Sequence, residues 1–378
     1  MLLLGVVSLF ADLTYEPARS LAGPYLAFLG AGATAVGLVA GLGELVGQGL
    51  RAVSGLVSDR TRRYWAVTIA GYTVSLLAVP ALALAGRWQL AACLIVAERL
   101  GKAMRTPARD ALLAHAAHRI GLGRAFALHE AVDQLGAVLG PILVAGVLAA
   151  KGSYAWAFGV LAFPAAVALL ALTMARAAYP RPQDFESGEA RGEPVPLPRA
   201  FWLYVAGMGL VAAGFTDFAL VAFHIKRSGL AGDAWIPLLY AGAMGVDALA
   251  ALGLGRWYDR RGLPVVLVSV VLSSCAAPLL FSSRLALVIP GLALWGVGLA
   301  AQESIMRAVL ARMLPRARRA TGFGVFHAWY GAAWFGGSAV MGALYDLSLT
   351  ALVTFSVVTQ LASLALLARV HKASGGGQ

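Results

Sequence analysis

The chain has 378 residues, of which 60% are hydrophobic and 13% charged, and its mean hydropathy is +0.77. Soluble domains average about 45–50% apolar and about 25% charged residues. One water-solvated core cannot bury this much apolar surface, so soluble-enzyme, disordered and nucleic-acid-binding readings fall. The net charge of +12 fits arginine and lysine gathered in cytoplasmic loops beside anionic lipid headgroups.

A bilayer core of about 30 Å takes roughly 20 apolar residues per helix. Apolar stretches predict spans at 3–27, 33–57, 65–86, 89–112, 123–149 and 154–178, then at 200–224, 234–257, 264–283, 286–311, 321–345 and 349–371. The first stretch, MLLLGVVSLF, lacks a basic leader and reads as a membrane helix rather than a cleavable signal. The polar run YPRPQDFESGEARGEPVPLPR at 179–199 reads as a linker. The expectation is an all-α integral membrane protein of twelve transmembrane helices in two pseudo-symmetric six-helix bundles. These bundles occupy 1–178 and 200–371, and 372–378 forms a disordered tail. Cys93 and Cys275 lie inside apolar stretches and suggest neither a disulfide nor a metal site.

Orientation follows from the short loops. Arg60, Arg62, Arg63, Arg119, Arg124, Arg256, Arg260, Arg261, Arg316, Arg318 and Arg319 gather on one side. The opposite loops hold Arg87, Lys151, Lys226, Arg227 and Arg284. The richer side is the cytoplasm, which places both termini and the linker there.

The halves repeat. GLVSDRTRR from Gly55 is echoed by GRWYDRRG from Gly255, RAFALH ending at His129 by GFGVFH ending at His327, and MRTPAR from Met104 by MRAVLAR from Met306. The three offsets fall between 198 and 202 residues. Twelve spans in a six-plus-six duplication, with G-x-x-x-D-R-x-x-R after the second, resemble the major facilitator superfamily. GPYLAFLGA, ERLGKAMRTPARDALLAH and ESIMRAVLARMLPRARRATGFGVFH are similar to a prokaryotic permease subgroup of that family. The resemblance implies alternating access in a prokaryotic inner membrane. It also implies a cytoplasmic gate built on Gly55, Asp59, Arg60 and Arg63, with Asp259 and Arg260 as the second copy. Gly55 is expected to allow close helix approach and Asp59 to latch one closed state.

Ionisable residues at membrane depth cost roughly 2.5–3.5 kcal/mol each on insertion scales and must pair or face water. Here they recur at helical spacing: Asp12, Glu16 and Arg19 in span 1; Glu44, Gln48 and Arg51 in span 2; Glu98, Lys102, Arg105 and Arg109 in span 4; His129 and Asp133 in span 5, with Arg99 and Glu130 alongside. Each set shares a face. These residues are candidates for proton coupling and the cavity, whereas Arg105, Arg109 and Asp110 sit lower and join the expected gate. Glu98 can neutralise Lys102 one turn on. Glu44 and Arg51 can pair within their helix or with span 11. The second half is sparser, with Asp217, Asp247, Gln302, Glu303, Arg307 and His327 as cavity candidates. There Trp329 and Tyr330, with Trp334, are expected to form an aromatic wall near His327.

Gly136, Gly140 and Pro141 partly match the antiporter motif of family exporters, although Ala127, Val144 and Ala145 stand where glycine is wanted. The expected function is proton-coupled efflux of a small organic solute, with proton-coupled uptake as the alternative. The expected partners are solute, protons and the lipid bilayer, with no nucleic acid, no cofactor and a monomeric state. No P-loop, G-x-S-x-G or H-E-x-x-H occurs, which argues against an enzyme. In the predicted topology, cysteines placed at Ser187 and Gly152 label from opposite faces of intact cells, Ser187 from the cytoplasm. Labelling of both by an impermeant reagent from one face overturns the span count.

Overall fold

The computed structural model describes residues 2–61, 63–116, 122–180, 197–314 and 319–375. Most of the expected linker lies outside the described residues, and so do the side chains of Asp59 and Glu130. Among the described residues the chain forms twelve helical segments. They are α1 (Leu2–Phe28), α2 (Ala33–Thr61), α3 (Tyr64–Leu84), α4 (Trp88–Ala116), α5 (Leu122–Lys151) and α6 (Tyr154–Ala178). After the linker come α7 (Arg199–Arg227), α8 (Trp235–Arg261), α9 (Pro264–Leu280), α10 (Leu285–Met313), α11 (Arg319–Leu347) and α12 (Leu349–Gly375). The expected tail is thus helical as far as Gly375.

Eight of these helices carry a stretch long and apolar enough to cross a membrane by length and composition alone. Neither α1 nor α4 is among them, and these two helices hold Asp12, Glu16 and Arg19, and Glu98, Arg99, Lys102, Arg105, Arg109 and Asp110.

The chain divides into two compact units. Unit 1 comprises Met1–Ala31, Val46–Glu189 and Gly232–Ala241, and unit 2 comprises Gly32–Leu45, Ala190–Ala231 and Gly242–Gln378. The start of α2 therefore belongs to unit 2, and the start of α8 to unit 1.

In unit 1, small residues set the helix spacing. A Cβ on Gly71 of α3 would lie 2.7 Å from the Arg105 nitrogen and the Gly101 carbonyl oxygen of α4. A Cβ on Gly101 would lie 2.5 Å from the Gly71 oxygen and the Ser75 nitrogen. On the other side, Gly136 and Gly140 of α5 admit α1, where added Cβ atoms would meet Asp12 Cβ at 2.6 Å and Pro17 Cγ at 2.7 Å. Membrane helices lack a hydrophobic drive to associate, so such backbone proximity supplies their van der Waals attraction. Tyr25 of α1 closes one end, its hydroxyl donating to the carbonyls of Leu82 and Ala85 at 2.8 Å each.

Unit 2 is built around breaks. α7 opens after Gly214 and restarts at Phe218, where the Asp217 carboxylate accepts from the Ala219 amide at 2.9 Å. The freed carbonyls are satisfied from neighbours. Gly214 accepts from Ser356 Oγ at 2.6 Å and Gln360 Nε2 at 3.1 Å, and Thr216 from Trp295 Nε1 at 2.8 Å. A membrane helix can break only under that condition. A π-helical turn spans Ala301–Ile305 in α10.

The glycine seam yields a contrast. Gly101→Val should lower the unfolding midpoint or the folded yield, because overpacking costs about 1–3 kcal/mol. Gly55→Ala should not, since its nearest neighbour is Pro107 Cβ at 3.6 Å, an ordinary contact. Equal melting of both variants in detergent overturns the reading of the α3–α4 seam.

Candidate functional site: buried charge in unit 1 and an aromatic column in unit 2

Glu16 lies at the middle of α1 and is 6% exposed. Its carboxylate accepts from the Tyr240 hydroxyl of α8 at 2.5 Å and stands 3.7 Å from Lys102 Nζ of α4 and 4.0 Å from Arg19 Nη1. Three donors thus compensate one buried acid. Lys102 also lies 3.9 Å above the Tyr15 ring. Glu98, expected to neutralise Lys102, meets Arg99 Nε at 3.4 Å and acts on Lys102 at longer range, while the Lys102 ammonium reaches Glu16. The one-turn partner loses to a carboxylate on another helix that is itself short of water.

One turn from Glu16, Asp12 is 4% exposed, and its Oδ1 has no hydrogen-bond partner. Farther along the same helix, Ser8 hydrogen-bonds Asp133 and contacts His129 Nε2 at 3.3 Å, with His129 and Asp133 3.6 Å apart. Ser8, Asp12 and Glu16 fall four residues apart on α1, so one face of that helix carries the whole row. Tyr240 and Ser8 were not singled out by the sequence reading. Each is an ordinary residue made notable only by a partner distant in the chain.

Of the expected gate residues, Arg60 and Arg63 are exposed, as is Arg260. Arg109 grips its neighbour Asp110 at 2.8 and 3.0 Å. Asp259 meets Arg312 of α10 at 3.8 Å with both side chains well exposed. Arg105, expected to join the gate, is 1% exposed inside unit 1, with its guanidinium over the Tyr72 ring at 4.1 Å and the Tyr15 ring at 5.3 Å. Gly55 makes no close approach. Glu44 is buried in unit 2 within electrostatic range of Tyr330, whereas Gln48 and Arg51, both partly buried, belong to unit 1.

In unit 2, Gln302 sits in the π turn, donates to the Gly298 carbonyl at 3.1 Å and accepts from the Tyr330 hydroxyl at 2.5 Å. A small cavity of about 20 Å³ beside it is lined by Met208, Ser269, Ser273, Gly298 and Gln302. Tyr330 continues a column of rings. Tyr204, Phe326, Tyr330, Trp334, Phe215, Trp295 and Phe218 follow one another with centroids 5.5–5.9 Å apart. Trp329 is not part of it. It is 54% exposed and packs at Gly209, because one residue along a helix turns the side chain by about 100°. His327 stacks on Phe323, with centroids 6.2 Å apart. Asp217 serves as the helix cap described above, Asp247 is buried, Glu303 is partly buried and Arg307 is exposed.

A further cluster was not anticipated. The Asp346 carboxylate at the end of α11 accepts from the Thr34 amide at 3.1 Å and the Thr34 hydroxyl at 2.8 Å, and Arg227 lies at 3.4 Å. Behind it, Gly37 and Gly41 of α2 press against Ser338, Gly342 and Phe335 of α11. The signal available in the sequence was an acid at the carboxyl end of a helix. It opposes its own helix dipole there, but it suits the amino end of another helix.

The Major Facilitator Superfamily model matches residues 3–338, and the chain belongs to that family. An uncharacterized protein of Mycobacterium tuberculosis is 44% identical over 370 residues, covering 96% of this chain and 90% of that one. The fold is similar to that of the nucleoside transporter NupG, with a TM-score of 0.76, 14% identity and 98% of each chain covered. It is also similar to that of a POT peptide transporter, with a TM-score of 0.76, 14% identity, 99% of this chain covered and 94% of the other. The protein is a multi-pass membrane transporter of the secondary type.

The Asp346 clasp can be tested directly. With Cys93→Ser and Cys275→Ser as background, a Thr34→Cys/Asp346→Cys disulfide should stop transport under oxidant, and dithiothreitol should restore it. Undiminished transport with the disulfide formed shows that this end of α2 never moves.

Proposed function

We propose that the protein exports a small, partly apolar organic solute from the prokaryotic cytoplasm in exchange for protons, by alternating access. The observation that supports this most is the row on α1. A carboxylate without water, held by a lysine, an arginine and a tyrosine hydroxyl, stays ionised only while those partners remain. If α1 shifts against α4 or α8, Glu16 loses compensation, and desolvation then favours its protonated form. Proton uptake and release are in this way tied to movement. His129, Asp133 and Asp12 continue the row and supply further proton acceptors. Solute contact falls to the aromatic column and Gln302 of unit 2, which present ring faces and one amide rather than charge. The basic loops support a cytoplasmic position for both termini, and Arg60, Arg63, Asp59 and the Asp259–Arg312 pair are assigned to the cytoplasmic gate. The partial antiporter motif gains weight from its position, since Gly136 and Gly140 are what bring α5 against the acids of α1. Uptake with protons remains the second reading, because the same row works in either direction.

Glu16→Gln should keep the fold and the Tyr240 contact while removing the titrating group. In everted vesicles, pH-driven accumulation should fall at least about tenfold, the equivalent of about 1.4 kcal/mol of lost coupling, while solute exchange without a gradient persists. Glu44→Gln, whose carboxylate belongs to unit 2, serves as the comparison. Full pH-driven transport in Glu16→Gln overturns the assignment.

A further inference from the structure

α10 leaves α-helical register at its π turn. The Met306 amide reaches the Ala301 carbonyl five residues back, so the turn holds one residue more than an α turn. Two side chains brace it by reaching back four residues. Gln302 Nε2 donates to the Gly298 carbonyl at 3.1 Å, and Ser304 Oγ donates to the Ala300 carbonyl at 2.6 Å.

The helix is packed differently along its length. Before the turn it is pinned, since a Cβ on Gly298 would lie 2.8 Å from Ser273 Cβ of α9 and 3.0 Å from Phe215 Cε2 of α7. At the turn there is space. The cavity of about 20 Å³ is lined by Ala301, Gln302 and Met306 of this helix, and a space of that size takes about one water-sized group. Beyond the turn Met306, Val309 and Leu310 are buried, and Arg312 meets Asp259 of α8 at 3.8 Å.

Gln302 has a second tie. Its Oε1 accepts from the Tyr330 hydroxyl of α11 at 2.5 Å, and both residues are buried. A glutamine amide offers one acceptor oxygen and one donor nitrogen, so a single orientation serves Tyr330 and the Gly298 carbonyl together. Tyr330 thereby fixes the side chain that braces the π turn.

We infer that the π turn is a register switch in α10, with Gln302 as its catch and Tyr330 as the group that sets the catch. When the Tyr330 hydroxyl withdraws, Gln302 loses its hold on the Gly298 carbonyl and the π turn closes to an α turn. The extra residue passes toward Met313, and each residue it passes turns by about 100° and moves by about 1.5 Å. The cavity takes up the first displaced side chain, and Arg312 is drawn off Asp259. Tyr330 belongs to the aromatic column, so the further step, in which solute triggers the switch, rests on the reading of that column as the solute contact. The switch itself does not.

The test is fluorine NMR of the purified full chain in detergent without solute. A trifluoromethyl label is attached through Ala311→Cys, beyond the turn, or through Ala293→Cys, before it, with Cys93→Ser and Cys275→Ser as background. Tyr330→Phe removes the hydroxyl and keeps the ring. With the Ala311→Cys label it should make a second resonance appear or grow about fivefold, as expected for one lost hydrogen bond. Gln302→Leu should do the same, and the Ala293→Cys label should keep a single resonance throughout. Tyr330→Phe decides alone if Gln302→Leu does not fold. No solute is present, so the switch stands or falls apart from the reading of the column. A single, unchanged resonance from Ala311→Cys in Tyr330→Phe, or equal changes at both labels, overturns the proposal.

Discussion

Charge held where water cannot reach it is the constraint on which unit 1 depends. Glu16 at the centre of α1 would be prohibitive alone, and it is tolerated because α4 brings Lys102, α8 brings Tyr240 and its own helix brings Arg19. Each partner must be close, and a carboxylate has few ways to be reached by three helices at once. The packing of unit 1 follows from that requirement. α5 can lie against α1 because Gly136 and Gly140 offer no side chain at the crossing, and α3 can lie against α4 because Gly71 and Gly101 face each other. The glycines are therefore part of the electrostatic design. They set the interhelical distances at which a buried ion finds its compensation.

Unit 2 meets the same solvent with different means. It buries Glu44, Asp217 and Asp247, and it breaks its helices at Gly214 and at the π turn of α10, where serine, glutamine and tryptophan side chains satisfy carbonyls at the Gly214 break. Breaks satisfied by side chains hold a defined shape without the pull of opposite charges. The rings between them form a continuous apolar column that touches Gln302 at one polar point. A duplicated chain has thus diverged into a half governed by ion pairing and a half governed by helix irregularity and aromatic packing.

Much of this was legible in the sequence because it rests on local period. Span positions, the repeat, and the shared faces of Asp12 with Glu16 and of His129 with Asp133 all follow from 3.6 residues per turn. What was not legible is which faces meet. Spacing offered Glu98 to Lys102, and the fold gives Lys102 to Glu16. Spacing put Arg105 on one face with Arg109, and it could not show the Tyr15 and Tyr72 rings that enclose the guanidinium. Trp329 and Tyr330 are neighbours in the chain, but one is exposed and the other buried because one residue changes direction by about 100°. Asp217, read as a cavity acid, caps a helix, a role that spacing could not show because the break in the helix provides the free amide. Among the described residues a Cβ on Gly55, quoted as part of a loop motif, would make only an ordinary contact with Pro107 Cβ at 3.6 Å, whereas the tightly packed glycines were ordinary members of apolar runs.

The placement of α2 and α8 bears on how such a molecule can work. Each is one continuous helix whose first stretch belongs to one unit and whose remainder belongs to the other. Among the described residues, the polar attachments of those first stretches include the one from Tyr240 of α8 to Glu16 and the one from Thr34 of α2 to Asp346. Apolar close packing behind them, as at Gly37 and Gly41 on α11, adds attraction that has no protonation state. A hydrogen bond to a carboxylate does have one. The Tyr240 fastening is thus the one whose strength depends on whether Glu16 carries a proton, while the Asp346 clasp contains an acid that is partly open to solvent and faces Arg227. Of the two acids, Glu16 is the buried one. That is why the proposed coupling rests on the carboxylate at the centre of α1 and not on the more numerous charges at the loops.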